Sequence, residues 1–63
     1  MRNNLQKFRW ERNWSQQELS KKSGVSRDVI ARIEVGLTEN PTVKTAMLLA
    51  KAFGVSVEEL FEL

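Results

Sequence analysis

Sixty-three residues hold ten Lys plus Arg, eight Asp plus Glu, and neither Cys nor His. That length sits near the lower limit at which one domain buries enough surface to fold alone. The missing Cys and His exclude disulfide staples, zinc sites built on those ligands, and catalytic triads or dyads that require either residue. No apolar run approaches the roughly 20 residues of a membrane helix, and the N-terminus lacks the apolar stretch of a signal peptide. Composition leaves a soluble module, read as cytoplasmic, with no metal and no cofactor implied.

The net charge of +2 conceals an uneven distribution. Residues 1–32 carry eight basic and three acidic side chains, whereas residues 33–63 carry two basic and five acidic ones. The split fits a polyanion-binding face with an acidic rear. It fits equally a chance segregation of short charged faces.

Apolar positions recur at helical spacing throughout, so the chain reads as all-α. The first helix is predicted from about Asn4 to Arg12, with Leu5 and Phe8 on one face and Asn13 as a left-handed terminator. Trp14 follows as a packing residue. Ser15-Gln16-Gln17-Glu18 has the form of a capping box and opens a second helix that stops at Gly24. Gly24-Val25-Ser26 reads as a tight turn in which Val25 points inward and Ser26 caps a third helix, about Arg27 to Val35, with Ile30 and Ile33 inward. A polar connection ends in Thr42, the cap of a fourth helix running to about Phe53. Its predicted inner face is Val43, Ala46, Met47, Leu49, Ala50 and Phe53. Gly54 stops it, and Ser56-Val57-Glu58-Glu59 opens a last short helix anchored by Leu60 and Val57. The sum is a compact five-helix bundle in a single domain. Residues 16–35, two short helices joined by a three-residue turn containing Gly, have the form of a helix-turn-helix.

At this point the chain resembles the Xre/Cro-like, phage-repressor type of helix-turn-helix family. The resemblance rests on Trp14-Ser15-Gln16-Gln17-Glu18-Leu19-Ser20, on Ser23-Gly24-Val25-Ser26-Arg27, and on Ile30-Ala31-Arg32-Ile33-Glu34-x-Gly36. It continues through Asn40-Pro41-Thr42-Val43 and the stretch from Ala50 to Phe61. It implies a five-helix fold and sequence-specific binding of double-stranded operator DNA, in a prokaryote or phage. Members more often carry Gly and Leu where this chain has Asn13 and Trp14; Asn keeps the turn and Trp enlarges the packing residue. Ser20 stands where Ala is common, and its hydroxyl can bond back to the Gln16 carbonyl. Ala46 and Leu48 also depart from the usual pair, which bears on dimer geometry.

Major-groove reading needs long side chains with directed donors on an exposed helix. With Ile30 and Ile33 inward, Arg27, Asp28 and Arg32 point outward and match the family's base-reading positions. Arg27 and Arg32 suit guanine edges, Asp28 can orient Arg32 or accept from cytosine, and Val29 at the rim suits a thymine methyl. The plainer alternative is a solvated face with an Asp28–Arg32 ion pair. Gln16 heads the second helix, where free N–H groups and the helix dipole favour phosphate. The resemblance points to Gln16 as a backbone clamp, and Ser26, Asn40, Thr42 and Lys44 are the further phosphate candidates. Lys7, Arg12, Lys21 and Lys22 are expected to add only diffuse field. The resemblance pairs Arg9 with Glu34 as a structural ion pair. Trp10 is read as a core or rim aromatic, and Glu58, Glu59 and Glu62 as residues of a short capped helix rather than an acid–base pair, so no enzyme is expected.

One such domain covers one half-site, which implies a homodimer on an inverted repeat. Leu48, Phe61 and Leu63 are the dimer candidates; Phe61 equally suits the monomer core. Two other readings stand beside the repressor: an antitoxin-like module that also binds DNA and neutralises a partner such as a toxin, and the DNA-binding part of a longer regulator.

Overall fold

The computed structural model describes residues 2–37 and 41–62. Within them lie helices α1 (Leu5–Glu11), α2 (Gln16–Ser23), α3 (Arg27–Glu34), α4 (Val43–Phe53) and α5 (Val57–Leu60), flanked by the two-residue strands β1 (Arg2–Asn3) and β2 (Phe61–Glu62). The fold class is all-α, with five helices, as the periodicity predicts. The strands were not foreseen: Arg2 pairs with Glu62 and Asn3 with Phe61 in an antiparallel register that ties the two ends together. Asn3 and Asn4 reinforce this seam. Asn3 Nδ2 donates to the Ile33 carbonyl at 2.8 Å, and Asn4 Nδ2 donates to the Glu59 carbonyl at 2.9 Å.

Helix punctuation explains the element boundaries. The hydroxyls of Ser15, Ser26, Thr42 and Ser56 each accept from the backbone N–H three residues on, which satisfies a donor that the first turn leaves without a partner. The reciprocal half of the capping box forms at Ser56–Glu59. At Ser15–Glu18 the hydroxyl bond alone is made, at 3.1 Å, and the predicted return from the carboxylate is absent. Asn13 adopts φ 57°, the left-handed terminator expected of it.

The core gathers Leu5, Leu19, Ile30, Ile33, Leu49 and Leu60, all fully enclosed, with Val25, Ala46, Ala50, Phe53 and Phe61 beside them. On α4 the enclosed stripe is Ala46, Leu49, Ala50 and Phe53, an i, i+3, i+4, i+7 pattern. Val43 and Met47, expected on that inner face, are 75% and 59% exposed. Met47 is one residue, about 100° of helical rotation, round from Ala46, and Val43 heads the helix a turn before the stripe begins. Phe61 is a second correction: it is 5% exposed and packs inside its own monomer, so its side chain is unavailable to a second copy. Trp10, on the outer side of α1, is exposed and takes no part in the core.

A satellite cluster closes the other side of α1. Phe53 stacks on Trp14 with ring centroids 5.5 Å apart and meets Phe8 at 5.7 Å. Arg12 lies over all three rings, 5.1 Å from the Phe53 centroid, and donates from Nη2 to the Phe53 carbonyl at 2.8 Å and from Nη1 to the Phe8 carbonyl at 3.2 Å. Lys22 places its ammonium 5.0 Å from the Trp14 ring centre. Arg12 and Lys22 therefore do more than add diffuse field; they cover aromatic faces.

The Arg9–Glu34 ion pair forms as the resemblance implies, linking α1 to α3. Arg9 Nε reaches Oε2 at 2.8 Å and Nη2 reaches Oε1 at 3.0 Å, a two-pronged contact, while Nη1 donates to the Trp14 carbonyl at 2.9 Å. The two side chains are 9% and 3% exposed. Burial removes the water that would otherwise screen the pair, so deleting one partner strands a charge.

Two outcomes follow for unfolding monitored by tryptophan fluorescence and far-UV circular dichroism. Glu34→Ala lowers stability by about 3–5 kcal/mol, whereas the double variant Arg9→Met/Glu34→Leu recovers most of that loss; simply additive losses would show that the charges do not act as a unit. Phe53→Ala lowers stability by about 3–5 kcal/mol, a large share of what a chain this short commands. Phe53→Leu keeps much of the apolar bulk, loses about 1 kcal/mol of ring pairing, and so costs less than the alanine variant.

Candidate nucleic-acid interface

Helices α2 and α3 pack through Leu19, Val25 and Ile30 across the turn 24–26. Gly24 closes α2 at φ 79°, and a Cβ there would meet nothing within 4 Å. The glycine is thus required by backbone angle rather than by space. Sequence reasoning overlooked Ser23, which is 6% exposed and accepts from the Val25 N–H at 3.1 Å. That bond sets the turn just before α3. A Ser two residues before an inward Val is the signal that could have marked it.

On α3, Ile30 and Ile33 are enclosed while Arg27, Asp28 and Arg32 are exposed, as the periodicity predicts. Among the described residues neither guanidinium takes part in an ion pair, and Asp28 does not close on Arg32. Their donors stand open to solvent. Val29 is half-buried against the core, leaving only part of its side chain at the rim. Ala31, which sequence reasoning passed over, is half-buried on the same face, one turn after Arg27. Its small side chain leaves the helix surface low between the two arginines; the i, i+4 spacing from Arg27 is the signal for it.

The phosphate candidates divide. Gln16 is half-buried at the first position of α2, and its Nε2 donates to Glu34 Oε1 at 3.1 Å, the oxygen that also takes Arg9 Nη2. The ion pair thereby orients Gln16 beside the free N–H groups of the first turn of α2. Ser26 is exposed, with its hydroxyl accepting from Val29 N–H at 3.3 Å. Thr42 is exposed and caps α4, accepting from Thr45 N–H at 3.1 Å and donating to Thr45 Oγ1 at 2.8 Å. The expected Ser20 bond to the Gln16 carbonyl is not among the side-chain hydrogen bonds of the described residues. Lys44 is exposed on the first turn of α4. Asn40 lies outside the described residues, as does the dimer candidate Leu63. Leu48 is half-buried on α4.

The arrangement is a short capped helix, a fixed turn and a second helix presenting uncommitted arginines. The family model described as helix-turn-helix matches residues 5–60. An uncharacterised HTH-type transcriptional regulator of Methanocaldococcus jannaschii is 44% identical over 61 residues, covering 97% of this chain and 91% of its own length. One from Archaeoglobus fulgidus is 38% identical, covering 97% of this chain and 84% of its own length. A bacterial relative from Sinorhizobium fredii, again an HTH-type regulator, is 40% identical over 57 residues, 90% of this chain and 73% of its own. The chain belongs to the helix-turn-helix family of DNA-binding transcriptional regulators.

Proposed function

We propose that the protein is a sequence-specific repressor that inserts α3 into the major groove of a double-stranded operator half-site. The observation that carries this reading is the commitment of the arginines. Arg9 is paired with Glu34 and Arg12 is laid over aromatic rings, while Arg27 and Arg32 stand exposed and unpaired among the described residues. Each of the latter two suits a guanine edge, Asp28 disfavours indiscriminate phosphate binding, and Gln16, Ser26 and Lys44 clamp the backbone on either side. Thr42 and Asn40 belong to the same proposed clamp, Thr42 chiefly through its cap.

A homodimer on an inverted repeat completes the reading, because two recognition helices spaced about 34 Å apart read half-sites one helical turn apart. Phe61 does not serve that contact. The protein acts in the cytoplasm on chromosomal or phage DNA, as a binding protein without catalysis; no helix of the described residues is long and apolar enough to cross a membrane. A protein partner in addition to DNA, such as a toxin, is compatible with this reading, because α4 presents surface that α2 and α3 do not use.

Selection from random duplexes is the test, and it should return an enriched motif of inverted symmetry. Arg32→Ala relaxes preference at one base pair per half-site by about 1–3 kcal/mol without changing thermal stability. Selection without enrichment would remove sequence-specific recognition. The logarithm of affinity should fall linearly with that of salt concentration, with a slope near 0.9 per phosphate neutralised.

A further inference from the structure

Lys44 apart, the outer face of α4 carries a surface that the DNA reading does not absorb. Val43, Lys44, Met47, Leu48 and Lys51 share one side of the helix and line an open cleft of about 460 Å³. A second cleft, about 560 Å³, adjoins it between α2 and α4, sharing Leu48 and Lys51 and adding Trp14, Lys22, Ser23 and Ala52. Together they form a groove whose floor is apolar along α4 and mixed beside α2, with three lysines at its edges. Among the described residues no carboxylate lines either cleft. Exposed apolar surface in a domain this small is costly to solubility, and a run of it rimmed by charge marks a binding face.

We propose that this groove docks an acidic amphipathic helix of a protein partner, with apolar side chains on Met47 and Leu48 and carboxylates on Lys22 and Lys51. The charge selects the occupant. A second copy seated symmetrically on the same face would set lysine against lysine, since a two-fold contact repeats one patch on both sides. A nucleic acid would satisfy the lysines and leave Val43 and Met47 against phosphate. An amphipathic helix with Glu beside its Leu row satisfies both parts, in the helix-in-groove mode. Leu48 thereby passes from candidate dimer residue to groove floor.

The test uses the whole chain, ¹⁵N-labelled, and two synthetic helical peptides with the same Leu spacing, one flanked by Glu and one by Lys. The Glu peptide should shift amide resonances of residues 43–52 and change Trp14 fluorescence, with at least tenfold tighter binding than the Lys peptide. Met47→Asp and Lys51→Glu should each weaken that binding at least tenfold while leaving affinity for the selected duplex within twofold, which separates this proposal from the DNA reading. Equal binding of both peptides, or shifts mapping elsewhere, overturns it. So does a concentration-dependent self-association abolished by Met47→Asp, which would assign the groove to a second copy. Duplex DNA perturbing Met47 and Lys51 as strongly as it perturbs Arg27 and Arg32 would assign it to phosphate and overturn it equally.

Discussion

The buried pairing of Arg9 with Glu34 is the contact on which the geometry of the interface depends. One guanidinium joins α1 to α3 through two parallel bonds and reaches the carbonyl of Trp14 with its third nitrogen. The carboxylate oxygen that accepts Nη2 also accepts Gln16 Nε2. A single enclosed cluster therefore fixes the end of α3, the segment before α2 and the first residue of α2. An apolar replacement of similar volume could hold the helices together as firmly, because desolvating two charges offsets much of their attraction. It would not aim Gln16. The planar fork of Arg fixes direction as well as distance, and direction is what the backbone clamp proposed for Gln16 needs.

Much of this was legible in the residues because it is written in local chemistry. Ser15, Ser26, Thr42 and Ser56 cap as small hydroxyl residues do before an apolar-periodic run, and Asn13 takes the left-handed angle open to it. Ile30 and Ile33 set the phase of α3 and so the exposure of Arg27, Asp28 and Arg32. What escaped depends on where neighbours end. Periodicity identifies Val43 and Met47 as apolar, but the apolar arc of α4 is wider than the elements packed against it, and sequence does not record that limit. Two-residue strands have no period to detect, so the β1–β2 seam was invisible, and without it Phe61 stayed an even choice between the core and a dimer face. The missing half of the Ser15–Glu18 box shows the remaining gap: a motif states that a bond is possible, while the exposed Glu18 side chain is free to stay in water.

Net charge is the quantity that structure revises most. Counting gives the first half of the chain a strong basic excess, yet a charge acts on a ligand only if its donors are uncommitted. Arg9 is enclosed with its counter-ion, and Arg12 donates to two carbonyls while lying over three rings. The same residue type thus serves opposite ends. Guanidinium groups inside the molecule organise it, through planarity and multiple donors, and the guanidinium groups on α3 remain for an external acceptor.

The two outward faces differ in the cation they present, and that difference separates the ligands proposed for them. On α3 the charges are arginines beside Asp28 and the small Ala31, a flat polar strip suited to base edges with matched pairs of acceptors. On α4 they are lysines above an apolar floor. An ammonium is a strongly hydrated point charge on a flexible stem whose methylenes cover apolar surface, so it tolerates carboxylates at varied angles but reads no fixed edge. Helix α4 lies against α2 with its inner stripe while Leu48 and Lys51 border the cleft that Lys22 and Ser23 complete. The groove therefore borders the same α2 that Gln16 begins, and Ser23, which bounds the cleft from its last turn, also fixes the turn into α3 through Val25. No spacer separates the proposed partner-facing surface from the proposed DNA-facing one; the two share α2, and Ser23 belongs to the wall of one and the scaffold of the other.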